Sequence, residues 1–148
     1  MQFELHGDRE QAEEIRALIE DWDAALAQQD AHGLSAHLDQ SSTVYDIGVQ
    51  FVGAGEYRDQ WIRCFPYFGD SVRIERRKPV IHAADGMAFF YCYTRVSGAN
   101  TPPPAELPWC RLTVCYRKVD GDWRVAHEHA SVPYDFGRRE AALILGEP

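Results

Sequence analysis

The most informative segment of the chain reads Gly121-Asp122-Trp123-Arg124-Val125-Ala126-His127-Glu128-His129-Ala130-Ser131-Val132-Pro133. It follows a turn-forming aspartate-glycine pair and alternates apolar with polar residues, which is typical of a β-strand. A strand points successive side chains to opposite faces. Regular alternation would place both histidines on one face with Trp123 and Val125, and Glu128 on the other. Only one of these faces can line an interior pocket.

Three interpretations of His127-Glu128-His129 are open. The histidines could ligate a metal, but a catalytic zinc needs about three protein ligands, so His82 or Asp46 would have to complete the set. They could instead face the pocket as an acid or base. In the third interpretation they face a dimer interface and Glu128 points into the pocket, where small alanines on either side leave room for a ligand. We favour the third, and no metal is expected.

Composition limits the class of protein. The chain has 148 residues, 45% of them hydrophobic and 26% charged, which predicts one folded domain over residues 1–148 without a linker. A net charge of -8 argues against a nucleic-acid partner. The one basic cluster has the pattern of a solvated strand face; it comprises Arg73, Arg76, Arg77 and Lys78.

Localisation is predicted from what the sequence lacks. No apolar run approaches the ~20 residues that a membrane helix needs, and the first residues do not resemble a signal peptide. We therefore expect a cytoplasmic protein with no membrane partner. The four cysteines, at positions 64, 92, 110 and 115, lack paired short spacings and are expected to be thiols.

The first half of the chain has helical periodicity. A long amphipathic helix is predicted from Asp8 to about Gln29. A shorter one should follow from Asp30 through Leu38, and residues 39–42 should break it before a strand at Thr43–Asp46. A third helix is predicted to start after Gly53-Ala54-Gly55 and to end before Pro66.

The second half changes to β-branched and aromatic residues separated by turns. Long antiparallel strands are predicted at about Val72–Ala83, Met87–Ser97, Trp109–Val119 and Trp123–Val132. Helices followed by strands predict an α+β domain whose helices cover one face of a curved antiparallel sheet.

Several motifs together resemble a known family. They are the segments 39–46 (DQSSTVYD), 53–61, 85–89 (DGMAF), 111–113 (RLT) and 120–133. Almost the whole chain resembles the nuclear transport factor 2-like superfamily, in its SnoaL-like and ketosteroid-isomerase-related branch. It is also similar to the association domain of calcium/calmodulin-dependent kinase II, which assembles and binds ligands without being an enzyme.

The resemblance implies a cystatin-like α+β roll, in which a cone-shaped sheet wraps around a long N-terminal helix. It also implies a deep pocket for a small, mostly hydrophobic ligand and a homodimer formed through the other face of the sheet. Activities in the family include isomerisation, dehydration and cyclisation, none of which requires a cofactor here. Function therefore stays open between enzyme and binding domain.

The resemblance supplies one candidate base. Steroid isomerases carry a carboxylate at the end of the first strand, and Asp46 matches that position. A carboxylate in an apolar cone has a raised pKa and can take a proton from carbon. The donors of the isomerase pattern are missing, however, because Trp22 replaces its first-helix tyrosine and Thr113 and Cys115 stand near its second acid. Asp46 could otherwise cap a turn.

Two arginines are candidates for holding an anionic ligand or an enolate oxygen. If Phe89, Tyr91, Tyr93 and Arg95 face inward, and likewise Trp109 with Arg111, then two guanidinium groups project into the cone. The kinase association domain has an arginine at the place of Arg95. Alternatively, either arginine pairs with an internal carboxylate.

Two functions follow from these residues. The first is a cofactor-free isomerase or lyase with Asp46 as base and Arg111 as the group that stabilises negative charge. The second is a non-catalytic ligand-binding or assembly domain. In both, the pocket walls are expected to include further side chains, namely Trp22, Trp61, Tyr91, Tyr93, Arg95, Trp109 and Glu128.

Overall fold

The computed structural model describes residues 1–148 and contains three α-helices. These are α1 (Arg9–Ala27), α2 (Ala31–Ser35) and α3 (Ala54–Phe68). The Asp8 carboxylate caps α1 by accepting a hydrogen bond from the Gln11 backbone N–H at 3.0 Å. A buried apolar stripe on α1 packs against the sheet, as its helical spacing predicts; it includes Ala12, Ile15, Ile19 and Leu26.

Seven strands form one curved sheet in the order β1-β4-β5-β6-β7-β2-β3. They are β1 (Glu4–Gly7), β2 (Leu38–Tyr45), β3 (Gln50–Val52), β4 (Arg73–Ala84), β5 (Met87–Ser97), β6 (Cys110–Val119) and β7 (Asp122–Ser131). A separate pair joins β8 (Tyr134–Asp135) to β9 (Glu140–Ala141). The α+β prediction is confirmed. The sheet is mixed rather than fully antiparallel, because β1 runs parallel to β4 and β2 parallel to β7.

The predicted break at residues 39–42 is wrong. Helix α2 ends at Ser35, and β2 already begins at Leu38. Hydroxyl groups stabilise the irregular start of this strand: Ser42 is fully buried and donates to the Val125 carbonyl at 2.6 Å. Residues typical of turns can thus belong to a strand here, because their side chains supply hydrogen bonds in place of absent backbone hydrogen bonds between β2 and β7.

Helix α3 does not end before Pro66. The helix continues to Phe68, with Pro66 in its last turn, and ends at Gly69, whose N–H donates to the Phe65 carbonyl. Proline near a helix end removes only one backbone hydrogen bond, so the turn survives. The extension carries Tyr67 and Phe68 to the rim of the cavity described below.

Strand β7 contains a β-bulge, which changes the alternation of the His127-Glu128-His129 segment. Cys115 and Tyr116 of β6 pair with His127 and Val125, so Ala126 is an extra residue on β7. Trp123 and Val125 therefore belong to the buried core together with Ala130, while the histidines lie on the other face. The expected grouping of the histidines with Trp123 and Val125 is wrong because the bulge shifts the pattern by one residue.

No helix of the structure is both long and apolar enough to cross a bilayer.

Candidate functional site

A cavity of about 330 Å³ lies between the concave face of the sheet and helices α1 and α3. Sixteen of the 21 residues that line it are hydrophobic, so a mostly apolar molecule fits it. A smaller space of about 50 Å³ continues toward the core. Trp22, Tyr57, Leu112 and Glu128 line both and mark the floor of the larger cavity.

Glu128 is the carboxylate inside this cavity. It lies on β7 opposite Val114 of β6 and Val44 of β2, both buried. It makes no ion pair within 4 Å, and its hydrogen-bonding neighbour is the Tyr57 hydroxyl. The bulge at Ala126 produces this orientation, since it turns Glu128 and Ala130 inward.

The surroundings of Glu128 disfavour its ionised form. Burial, and after it the negative charge of Asp46, raise the pKa of Glu128 to about 7. The Arg76 guanidinium and the nearby Tyr57 hydroxyl oppose this rise more weakly. A carboxyl with this pKa exchanges a proton near neutral pH, which is the property of a general acid or base.

Tyr57 is the hydrogen-bond donor nearest to Glu128. It is buried on α3, and its hydroxyl oxygen accepts a hydrogen bond from Trp22 Nε1 at 3.0 Å. Burial and the Glu128 charge raise the pKa of Tyr57 well above its ordinary value, so the phenol stays protonated. Because Trp22 donates to the Tyr57 oxygen, the Tyr57 O–H remains as a donor to the Glu128 carboxyl or to a ligand in the cavity.

Asp46 lies at the cavity mouth and is exposed to solvent. Its Oδ1 accepts a hydrogen bond from the Ile47 backbone N–H at 2.8 Å, which is the turn-capping role considered above. Asp46 directly follows the end of β2, two residues beyond Val44, the register partner of Glu128. The apolar interior expected for Asp46 surrounds Glu128 instead.

Arg76, a member of the basic cluster, is a buried residue that the sequence reasoning missed. The expectation that it belongs to a solvated strand face is wrong, because its guanidinium is buried on the inner side of β4. It donates to the Asp23 carboxylate of α1 at 2.6 Å and lies over the rings of Trp22 and Phe90 at 5.6 and 5.4 Å. An acidic partner on the long helix was the available signal.

The expectation that Arg95 projects into the cone is wrong. Arg95 is buried on the outer face, where it pairs with Glu75 of β4 at 3.2 Å and lies over the Trp109 ring at 4.3 Å. On β5 the buried inner positions are Ala88, Phe90, Cys92 and Thr94. Since β5 carries large apolar residues on both faces, alternation alone could not show which face is inside.

Three further residues that were expected to line the pocket lie elsewhere. Tyr91 is exposed and stacks with His82 at 6.3 Å, and Tyr93 lies under Lys78. Trp109 is fully buried, but between Arg77 and Arg95 rather than in the cavity.

Arg111 is exposed as well and donates to Ser131 Oγ at 3.2 Å. His127 and His129 lie beside the exposed Tyr45, and Thr43 Oγ1 contacts His127 Nδ1 at 2.6 Å. Of the residues proposed from the sequence, Trp22, Asp46, Trp61 and Glu128 come together at the cavity; Tyr91, Tyr93, Arg95, Trp109 and Arg111 do not.

The raised pKa of Glu128 makes stability depend on pH. An unfolded glutamate has a pKa near 4.5 and the folded one about 7, so between these values the folded protein holds a proton that the unfolded chain has released. The stabilisation is complete below about pH 4.5 and is lost as the pH rises through about 7. From about pH 5 to about pH 8.5, wild type should lose about 2–3 kcal/mol of unfolding free energy relative to Glu128→Gln.

Urea unfolding of both proteins at the two pH values measures this difference. Burial lowers the pKa of His37, which changes stability in the opposite direction over part of the range, but it does so in both proteins and cancels in the comparison. Equal pH dependence of the two proteins would contradict a buried, proton-exchanging Glu128.

Comparison with known proteins identifies the family. Residues 15–135 match the family described as SnoaL-like domain, so the chain belongs to that family. No curated protein matches the sequence.

Solved structures agree on the fold. The chain is similar to an NTF2-like protein of unknown function from Pseudomonas putida, with a TM-score of 0.84 and 28% identity over 95% of this chain and 99% of that one. It is also similar to a cystatin-like protein of unknown function from Nostoc punctiforme, with a TM-score of 0.71 and 16% identity over 86% and 95% of the two chains. A candidate dehydratase of the NTF2-like family from Streptomyces avermitilis has a TM-score of 0.70 and 13% identity over 82% and 95%.

Proposed function

We propose that the protein is a cofactor-independent isomerase or lyase that moves a proton at a carbon next to a carbonyl group. Glu128 is the base, and Tyr57 is the donor to the carbonyl oxygen. The observation that carries the proposal is a carboxyl on the floor of an apolar cavity, without an ion pair, whose burial raises its pKa to about 7. The candidate dehydratase from Streptomyces avermitilis is consistent with this class of reaction.

The proposed reaction begins when the ionised Glu128 takes a proton from carbon. The electrons of the broken C–H bond form a C=C bond, and the carbonyl oxygen becomes an enolate oxygen. The Tyr57 O–H, which remains protonated, donates a hydrogen bond to that oxygen. Glu128 then returns the proton to another carbon, or to a departing group on the neighbouring carbon. The first outcome is isomerisation and the second elimination.

The arginines contribute nothing to this reaction. Arg95 and Arg111 lie outside the cavity, and Arg76 is neutralised by Asp23. The expected anionic ligand therefore has no cationic group to bind, and Arg111 is not a catalytic residue. The Tyr57 phenol on α3 instead stabilises the negative charge that forms on the carbonyl oxygen.

A general C–H acid tests the proposal without a known substrate. In 5-nitrobenzisoxazole a base removes the ring C–H proton, the N–O bond breaks, and coloured 2-cyano-4-nitrophenolate forms. We expect the protein to accelerate this elimination, with a rate that rises with pH and is half-maximal at about pH 7 as Glu128 ionises. Tyr57→Phe should lower the rate about tenfold, because it removes the donor to the developing phenolate.

The control is the same elimination in buffer that contains free acetate at equal carboxylate concentration. A protein rate no higher than that of acetate would contradict the proposal. If small apolar molecules bind with no such reaction, the cavity belongs to a non-catalytic binding domain, the second function that the sequence allows.

A further inference from the structure

The charged groups of the cavity are all of one sign. Among its 21 lining residues none is lysine, arginine or histidine, whereas Asp46 and Glu128 are both carboxylic acids. Asp46 forms no ion pair within 4 Å, and its turn hydrogen bond uses only Oδ1, which leaves Oδ2 free at the mouth. A bound anion would meet repulsion here, and a cation would meet attraction.

The walls are aromatic as well as apolar. Trp22 and Trp61 meet edge to face with ring centres 5.6 Å apart, and Tyr57 lies 6.4 Å from Trp61. The face of an aromatic ring carries partial negative charge and attracts cations. Seven aromatic residues line the cavity: Trp22, Tyr45, Phe51, Tyr57, Trp61, Tyr67 and Phe68.

Thr94 gives an independent sign of a ligand. It lies on the inner face of β5, lines the cavity and is 9% exposed, yet its hydroxyl has no hydrogen-bond partner. Leaving a buried hydroxyl unpaired costs about 1–3 kcal/mol. The oxygen itself has almost no accessible surface, so the Thr94 side chain would have to turn before a polar atom of a bound molecule, such as a carbonyl oxygen, could satisfy it. The ligand is therefore amphipathic rather than a pure hydrocarbon.

We propose that the ligand is a small organic cation: an apolar body fills the aromatic cavity, and a protonated amine lies at the mouth beside Asp46. This rests on the cavity being the ligand site of the proposed function. Asp46 thus acts as a specificity residue rather than as the base.

Three naphthalene probes of similar size and different charge test the class of ligand. They are 2-naphthylmethylamine, which is protonated at neutral pH, 2-naphthylmethanol, which is neutral, and 2-naphthoate, which is an anion. Calorimetric titration at low salt should give the amine a dissociation constant about tenfold lower than that of the alcohol, from ion pairing and cation–π attraction together. Naphthoate should bind more weakly than the alcohol.

The matched variant is Asp46→Asn, whose side-chain oxygen can still accept the Ile47 N–H. It should remove the preference for the amine and leave the affinity for the alcohol unchanged. Naphthoate binding as tightly as the amine, an unchanged preference in Asp46→Asn, or no binding of the amine would each overturn the proposal. A wild-type protein that shows no preference for the amine, but whose elimination still requires Glu128, would refute only the ligand class, whereas elimination independent of Glu128 would refute only the proposed reaction.

Discussion

Replacing Glu128 with glutamine should lower the rate of 5-nitrobenzisoxazole elimination by at least about 100-fold, the contribution typical of a positioned base. Glutamine has nearly the size and shape of glutamate but cannot take the proton. Because the Glu128 carboxyl forms no ion pair, and glutamine can still accept a hydrogen bond from the neighbouring Tyr57 hydroxyl, the replacement should not weaken the fold. The absorbance of the phenolate product, followed under stopped-flow or steady-state conditions, measures the rate.

Asp46→Asn is the matched control for that experiment. Asp46 is the other carboxylate of the cavity, but it lies at the mouth and is exposed. At about pH 9, where Glu128 is ionised with or without the charge of Asp46, its replacement should change the elimination rate less than about threefold, since the probe carries no cation for it to bind. A Glu128→Gln protein that retains wild-type activity, or an inactive Asp46→Asn protein, would move the base from Glu128 to Asp46.

Replacing Asp23 with alanine should lower the free energy of unfolding by roughly 3–5 kcal/mol, because it leaves the Arg76 guanidinium buried without a counter-ion. The Arg76 side chain is only 4% exposed, and the Asp23 carboxylate is its ionic partner. The contacts of Arg76 with Cys92 Sγ and two aromatic rings remain, but they do not neutralise its charge. Urea unfolding near neutral pH measures the change.

Glu20→Ala provides a control on the same helix. Glu20 pairs with Arg16 at 3.7 Å on an exposed surface, and its loss should change stability by less than about 1 kcal/mol. The double variant Asp23→Ala with Arg76→Met should recover most of the stability lost on removing Asp23, since methionine needs no counter-ion. An Asp23→Ala protein as stable as Glu20→Ala would show that the pair contributes little.

Much of the fold could be predicted because its signals are local. The helical stripe from Ile15 to Leu26 and the four long strands are each defined by spacing within one segment. Parallel pairing of β2 with β7 could not be predicted, because it joins residues about 80 positions apart along the chain. The turn-like residues at 39–42 likewise stay in a strand only because Ser42 reaches Val125 across that pairing.

The site was harder to predict because it depends on one extra residue. The bulge at Ala126 has no sequence signature, yet it decides that Val125 and Glu128 both point inward. The inward orientation of Glu128 agrees with the interpretation favoured from its small neighbours. Tyr57, on the predicted third helix, was missed as a functional residue because its role depends on hydrogen bonding to Trp22 from another helix.

The arginines show that alternation within one strand cannot by itself decide which face of the strand points inward. Residues 89–95 are aromatic or charged on one face and apolar on the other, so both faces can be buried. Glu75 lies directly opposite Arg95 on β4 and gives that arginine a partner on the outer face. Cross-strand register, rather than the pattern within one strand, decides where such a residue points.

The central claim is that Glu128 is a cavity carboxyl that changes protonation near neutral pH. A carbon-13 NMR titration of the glutamate side-chain carboxyls, with Glu128→Gln for assignment, tests it most directly. We expect one resonance to titrate at about pH 7 and to be absent from the variant. If the resonance missing from the variant instead titrates near the ordinary glutamate pKa of about 4.3, Glu128 is not the base that this structure indicates.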